Sequence, residues 1–119
     1  MTQRTEKVGK LARQVLGEAI DTLKDPRVGF ATITSVRVSA DLRHAVVLVS
    51  VMGTEEEQTN TMAGLESAKA YLRGELGRQV RMKYTPDLHF HLDHGPEEAQ
   101  RIETLFRELH DQHPEESNE

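Results

Sequence analysis

Five consecutive apolar residues, Ala45-Val46-Val47-Leu48-Val49, constrain this chain more than any other segment. Side chains alternate between the two faces of a strand, so a run that is apolar on both parities suits the interior of a sheet and not its edge. The strand they predict runs from Arg43 to Met52. Before it, Thr32 to Ser39 is rich in β-branched residues, and Ala40-Asp41-Leu42 between the two has turn chemistry. The pair is expected to form a β-hairpin. A third strand is predicted over Lys83 to Asp93, where Leu88, Phe90 and Leu92 take one face and His89, His91 and Asp93 the other. Pro86 near its start suits an edge position, because proline has no N–H to give to the ladder.

Helical periodicity fills the intervals. Val8, Leu11, Val15, Leu16, Ala19 and Leu23 lie on one stripe of an amphipathic helix of roughly twenty residues, which Asp25-Pro26 ends. Gly9 and Gly17 each weaken it by roughly 1 kcal/mol relative to Ala, so tertiary packing must hold it. A second helix starts after Gly53, with Thr54 as N-cap, Glu57 at the capping-box position and acids in the first turn. Its apolar stripe, Met62, Leu65, Ala68, Leu72, Leu76 and Val80, carries many small residues, and a break or bend is expected near 64–70. After Gly95-Pro96, a last helix over 97–110 places Ile102, Leu105, Phe106 and Leu109 on one face. The expected architecture is α+β, α-β-β-α-bend-α-β plus a C-terminal helix, with helices packed on one face of a three-stranded sheet. The length of 119 residues favours one domain over 1–110, followed by an acidic tail over 111–119 that is disordered from His113 on.

Composition narrows the function. No cysteine is present, which excludes thiol catalysis, thiolate zinc and disulfides and fits a reducing cytoplasm. No signal peptide or membrane span is visible. Five aromatics and no Trp argue against an aromatic stacking platform for single strands. The net charge of −5 is unevenly spread. Residues 94–119 hold two basic and eight acidic residues, while residues 1–93 hold thirteen basic and twelve acidic. Lys69, Arg73, Arg78, Arg81 and Lys83 fall within 15 positions with Glu75 the only acid among them. Such a cluster on an acidic protein points to a local anion site, with a solvated helix face as the plain alternative. Arg4, Lys7 and Lys10 add cations at threefold spacing on the first helix. Cations spaced in this way suit phosphate contacts, which position a protein on RNA without reading sequence.

Two other groupings have weaker claims. His89, His91 and Asp93 share one strand face beside His94, a pattern that would serve a metal-dependent hydrolase. The pattern lacks an evident fourth ligand or supporting shell, and ordinary polar residues on an open sheet face account for it. Protonation of these histidines below about pH 6.5 would favour RNA contacts instead. Ser39, Asp41 and His44 include the residue types of a nucleophilic triad, but Asp at a turn and Ser at a strand end explain the spacing.

The ordered series of landmarks resembles the ribosome-binding factor A family. They are Arg4 to Leu11, Asp25-Pro26-Arg27, Thr34 to Ser39, Asp41-Leu42, Ala45 to Ser50, Leu72-Arg73, Arg81, Pro86-Asp87-Leu88-His89-Phe90, Asp93 and Arg101-Ile102, and they span roughly residues 4–109. The resemblance implies a type II KH-like domain whose GXXG loop is replaced by an Ala-X-Gly helical kink. Ala68-Lys69-Ala70 stand at the kink, with Ala70 in place of the glycine. It further implies a monomeric cytoplasmic factor without cofactors. Such a factor binds the 30S subunit late in assembly and contacts 16S rRNA near the 5′-end helix and the decoding-region helices. It assists 5′-end maturation and growth in the cold, and is not itself a nuclease. The RNA-binding residues would then be Arg4, Lys7, Lys10, Ala68, Lys69, Ala70, Arg73, Arg78, Arg81 and Lys83.

Overall fold

A computed structural model describes residues 3–29, 31–95 and 98–112. Its elements, in chain order, are α1 (Gln3–Ile20), β1 (Ala31–Val38), β2 (His44–Val51), α2 (Glu55–Ser67), α3 (Lys69–Gln79), β3 (Asp87–Leu92) and α4 (Glu98–Gln112). This is the α+β, KH-like order expected from the sequence. Of the expected acidic tail, Asp111 and Gln112 belong to α4. Residues 113–119, where disorder was expected, lie outside the described residues.

The sheet has the order β1-β2-β3, so β2 is the central strand. β1 pairs with it antiparallel, from Ala31↔Val51 to Val38↔Ala45. β3 pairs with it in parallel, from His44↔Asp87 to Val49↔Leu92. The register shifts between Ile33 and Ser35, which marks a bulge at Thr34. The hairpin turn is locked by side chains. The Ser39 hydroxyl donates to Asp41 Oδ1 at 2.6 Å, the Arg43 N–H donates to the same oxygen at 3.0 Å, and the His44 N–H donates to Ser39 Oγ at 3.1 Å. Leu42 takes a positive φ of 63° at the tip. The Ser/Asp/His grouping is therefore turn chemistry.

The two parities of β2 serve two cores. Ala45, Val47 and Val49 pack with Leu16, Leu65, Leu72, Leu76, Leu88 and Phe90 beneath α1, α2 and α3. Val46 and Leu48 meet Ile102, Leu105 and Phe106 of α4 on the opposite face. The expectation that the helices share one face thus holds for three of them and is corrected for α4. The cause was present in the sequence. Val46 and Leu48 are 0% and 4% exposed, and leaving both in water would forgo roughly 1.5–3 kcal/mol each.

Two boundaries shifted: α1 ends at Ile20, ahead of the expected stop at Asp25-Pro26, and β3 starts late, while the helical break falls inside the expected 64–70. β3 begins at Asp87 and not at Lys83, because its partner β2 begins at His44 and Pro86 has no N–H to extend the ladder. The helical break falls at Ala68, whose φ/ψ of −91°/2° leave the helical basin while its N–H still reaches the Gly64 and Leu65 carbonyls. No glycine is required there: φ is negative, and Leu65 and Leu72 on either side are fully buried in the same core. The capping box of α2 forms as expected, with Glu57 N–H donating to Thr54 Oγ1 at 3.1 Å and Thr54 N–H to Glu57 Oε1 at 3.2 Å.

Gly9 explains how α1 lies so close to β1. A Cβ there would stand 2.6 Å from the Val36 carbonyl oxygen, a backbone atom that cannot swing aside, whereas a Cβ at Gly17 would meet nothing within 4 Å. Gly9→Ala should therefore destabilise the fold by about 1–2 kcal/mol, since forced overpacking outweighs the gain in helix propensity. Gly17→Ala should stabilise it by about 0.5–1 kcal/mol. Urea unfolding of both variants measures the contrast, and equal effects would contradict the packing described.

Candidate nucleic-acid interface

The cations predicted to act together divide between the two edges of the sheet. Lys10 lines an open groove of roughly 830 Å³ between α1 and the free edge of β1, alongside Arg13 and Arg37 but also Glu6, Glu18 and Asp21. Arg4 and Lys7 are exposed further towards the start of α1. Lys69 and Arg73 lie on α3 towards β3, the opposite edge, as their contacts with Phe90 and with the residues preceding β3 show. The α1 cations and the α3 cations thus form two patches. Ala68 is half-buried at the helical break and Ala70 is exposed just beyond it.

Within the α3 patch the cations have different duties. Arg73 is structural: its Nε donates to the Pro86 carbonyl at 3.2 Å and its Nη2 to the Thr85 carbonyl at 2.7 Å, with Asp87 Oδ1 at 3.5 Å from Nε. These bonds fasten the segment before β3 to α3. From the other side the Asp87 N–H donates to the Arg43 carbonyl at 2.9 Å. Gly77 lets the same segment approach, since a Cβ there would come within 2.8 Å of Thr85 Oγ1. Lys69 pairs with Glu66 at 2.8 Å, and Arg78 pairs with Glu75; both are i,i+3 pairs on helix surfaces, worth a few tenths of a kcal/mol. Such pairs exchange readily for phosphate. Arg81 and Lys83 are exposed beyond the end of α3, and among the described residues neither makes an ion pair.

Sequence reasoning missed two members of this surface. Arg43, just before β2, places its guanidinium carbon 4.8 Å from the centre of the Tyr84 ring, and Lys83 Nζ lies 5.4 Å from the same centre. Arg43 and Tyr84 are far apart in the chain and become neighbours only through the parallel pairing of β2 and β3. The composition argued against a stacking platform, and a single exposed ring does not make an extended one.

The metal grouping does not assemble. His89 points its Nε2 at His44 Nδ1, 3.1 Å away, with the ring centres 5.2 Å apart. Asp93 accepts from the Gly95 N–H at 2.8 Å and from Thr34, and these bonds hold its carboxyl below the usual range. Among the described residues no three His, Cys, Asp or Glu side chains converge to hold an ion. His89 is half-buried, and burial, followed by the nearby His44 and Lys69, pushes its pKa below the ordinary 6.5 despite the opposing pull of Asp87.

The geometry is that of a small domain with an exposed cationic junction between α3 and β3, and similarity to known proteins bears on its fold and family. The sequence profile of one family, Ribosome-binding factor A, matches residues 4–106. The chain belongs to the ribosome-binding factor A family. It is similar to the crystal structure of ribosome-binding factor A from Thermus thermophilus, at 31% identity over 74% of this chain and 94% of that one, with a TM-score of 0.67. The solution structure of a putative ribosome-binding factor A from Thermotoga maritima is 34% identical over 78% of this chain and 90% of its own, with a TM-score of 0.71. Thermus thermophilus coordinates fitted into a cryo-electron-microscopy map of a 30S–ribosome-binding factor A complex match at 32% identity over 70% and 88%, with a TM-score of 0.59. The family resemblance read from the landmarks is thereby shown, as is the fold it implied. Among the described residues no helix is long and apolar enough to cross a membrane.

Arg73→Ala should release the segment before β3 and speed hydrogen exchange at the Asp87 amide, with a stability loss of about 1 kcal/mol for partly exposed charged hydrogen bonds. Unchanged exchange there would remove Arg73 from its structural role. A second expectation concerns pH. Because the folded state lowers the pKa of His89, it binds fewer protons than the unfolded chain. The stability this neutral histidine supports is present above about pH 6.5 and is lost as pH falls towards the lowered value. His89→Gln should flatten the fall in unfolding free energy between about pH 7 and 5, and denaturation curves across that window test it.

Proposed function

We propose that this protein binds the maturing small ribosomal subunit and assists the last steps of 16S rRNA maturation, including 5′-end processing, by occupancy and without making or breaking bonds. The observation that carries the reading is the family membership over nearly the whole domain, joined to the likeness with a relative fitted into a 30S complex. The chain acts as a monomer in the cytoplasm, and its support of assembly matters most in the cold. Its contacts fall near the 5′-end helix and the decoding-region helices of 16S rRNA.

Binding rests on phosphate neutralisation. Lys69, Arg78, Arg81 and Lys83 supply the contacts around the α3–β3 junction, with Arg73 holding the junction in shape. Ala68 and Ala70 keep the helical break free of bulky side chains so that the backbone of the RNA comes near. Arg4, Lys7 and Lys10 supply a second, weaker patch diluted by Glu6. The acidic stretch after Asp93 is kept off the rRNA by repulsion, which limits binding to RNA at large. The rival hydrolase reading has less support, since among the described residues no three His, Cys, Asp or Glu side chains converge to hold an ion.

The test is co-sedimentation with free 30S subunits on a sucrose gradient, with failure to co-migrate overturning the proposal. With about four phosphate contacts, log affinity for the subunit should fall with log salt at a slope of roughly −3. Arg78→Glu combined with Arg81→Glu should reduce subunit association at least tenfold while costing no more than about 1 kcal/mol of stability, the loss of the Arg78–Glu75 pair and of a cation in the last turn of α3. Equal association of this variant and the wild type would put the interface elsewhere.

A further inference from the structure

The Tyr84 cluster carries an inference that rests on the reading above and names one contact within it. Tyr84 is 47% exposed, yet the backbone beneath it is fixed on two sides. Arg73 holds the carbonyls of Thr85 and Pro86, the fully buried Pro86 anchors the chain, and the Asp87 N–H is bonded to the Arg43 carbonyl. A half-exposed ring on a rigid base is a pre-ordered surface for a flat partner. Two cations meet it: the Arg43 guanidinium and the Lys83 ammonium both approach the same ring. No carboxylate lies within ion-pair distance of either cation among the described residues. Two like charges at one ring repel each other, and an anion brought to them relieves that repulsion.

We propose that Tyr84, Arg43 and Lys83 form a site for one unpaired nucleotide of RNA, its base stacked on the Tyr84 ring and its phosphates taken by Arg43 and Lys83. The magnitudes favour the exchange. An exposed cation–ring contact is worth roughly two- to fivefold in an equilibrium, whereas stacking of a base on an aromatic ring is worth roughly fivefold to over a hundredfold in affinity. A cation leaving the ring face for a phosphate gains a charge-assisted contact, and the base replaces it on the ring. The site takes any base, because every base offers a π-face. It requires an unpaired one, because bases within an A-form duplex are already stacked on each other. Tyr71, the other exposed tyrosine, is tied by its hydroxyl to Thr22 at 3.2 Å, and among the described residues no cation lies over its ring. It serves as the internal control.

The experiment measures affinity of the full chain for a single-stranded RNA oligonucleotide of mixed sequence and for a fully paired RNA duplex of equal charge. Binding to 30S subunits is followed in parallel. Tyr84→Ala should weaken single-strand binding about tenfold and leave duplex binding unchanged, Tyr84→Phe should retain both, and Tyr71→Ala should change neither. Arg43→Gln with Lys83→Gln should weaken both RNAs. Titration of the Tyr71→Phe protein, in which Tyr84 is the one tyrosine, should shift the Tyr84 ring proton resonances upfield on addition of the single strand, a readout that leaves Tyr84, Arg43 and Lys83 intact. Equal single-strand affinity of the wild type and Tyr84→Ala, with the ring resonances unmoved, overturns the site even if 30S binding is intact. Loss of 30S binding by the wild type would instead overturn the function on which the site rests. Equal loss of duplex and single-strand affinity in Tyr84→Ala would reduce Tyr84 to a support for the cations and overturn the stacking.

Discussion

Burial of β2 on both faces is the constraint from which the rest of the structure follows. A strand with Ala45, Val47 and Val49 on one side and Val46 and Leu48 on the other cannot face water on either. It therefore takes the middle of the sheet, with β1 on one edge and β3 on the other, and demands a helical layer above and below. α1, α2 and α3 supply one layer. α4 supplies the other with the apolar stripe of Ile102, Leu105 and Phe106. The parallel pairing of β2 with β3 forces a long crossover between them, and α2 and α3 are that crossover.

The candidate interface is a by-product of that crossover. Where α3 hands over to β3, the chain must turn against the start of β2, and Arg73 stabilises the turn by taking the Thr85 and Pro86 carbonyls just ahead of the strand. The same turn presents Arg81, Lys83 and Tyr84 outward and brings Arg43 beside them. One arginine of the cationic segment is thus committed to shape, and the others to the outside. A charge cluster in a sequence does not distinguish these duties, because both call for the same residue type.

Much of the fold was legible in the residues. The helical and strand periodicities identified every element, Thr54 and Glu57 announced the start of α2, and the small residues around Ala68 marked the break. The landmarks pointed to a family, and the match over 4–106 and the structural likenesses bear that out. β3 starts four residues later than strand propensity predicts, because propensity continues through Tyr84-Thr85 whereas pairing stops where β2 stops. The position of α4 was misjudged because amphipathicity says that a helix has a buried face without saying which surface it covers.

The sequence by itself determined the order of elements, most of the apolar core, the family, and the presence of a cationic segment in an otherwise acidic chain. These are properties of local pattern and composition, and they survive without coordinates. Only the tertiary structure decided that the α1 and α3 cations lie at opposite edges of the sheet, that His89 faces His44, and that Arg43 meets Tyr84. Each of these depends on strand order and register, which bring together residues distant in the chain. That register is set by the summed packing of two cores and not by any one segment's preference.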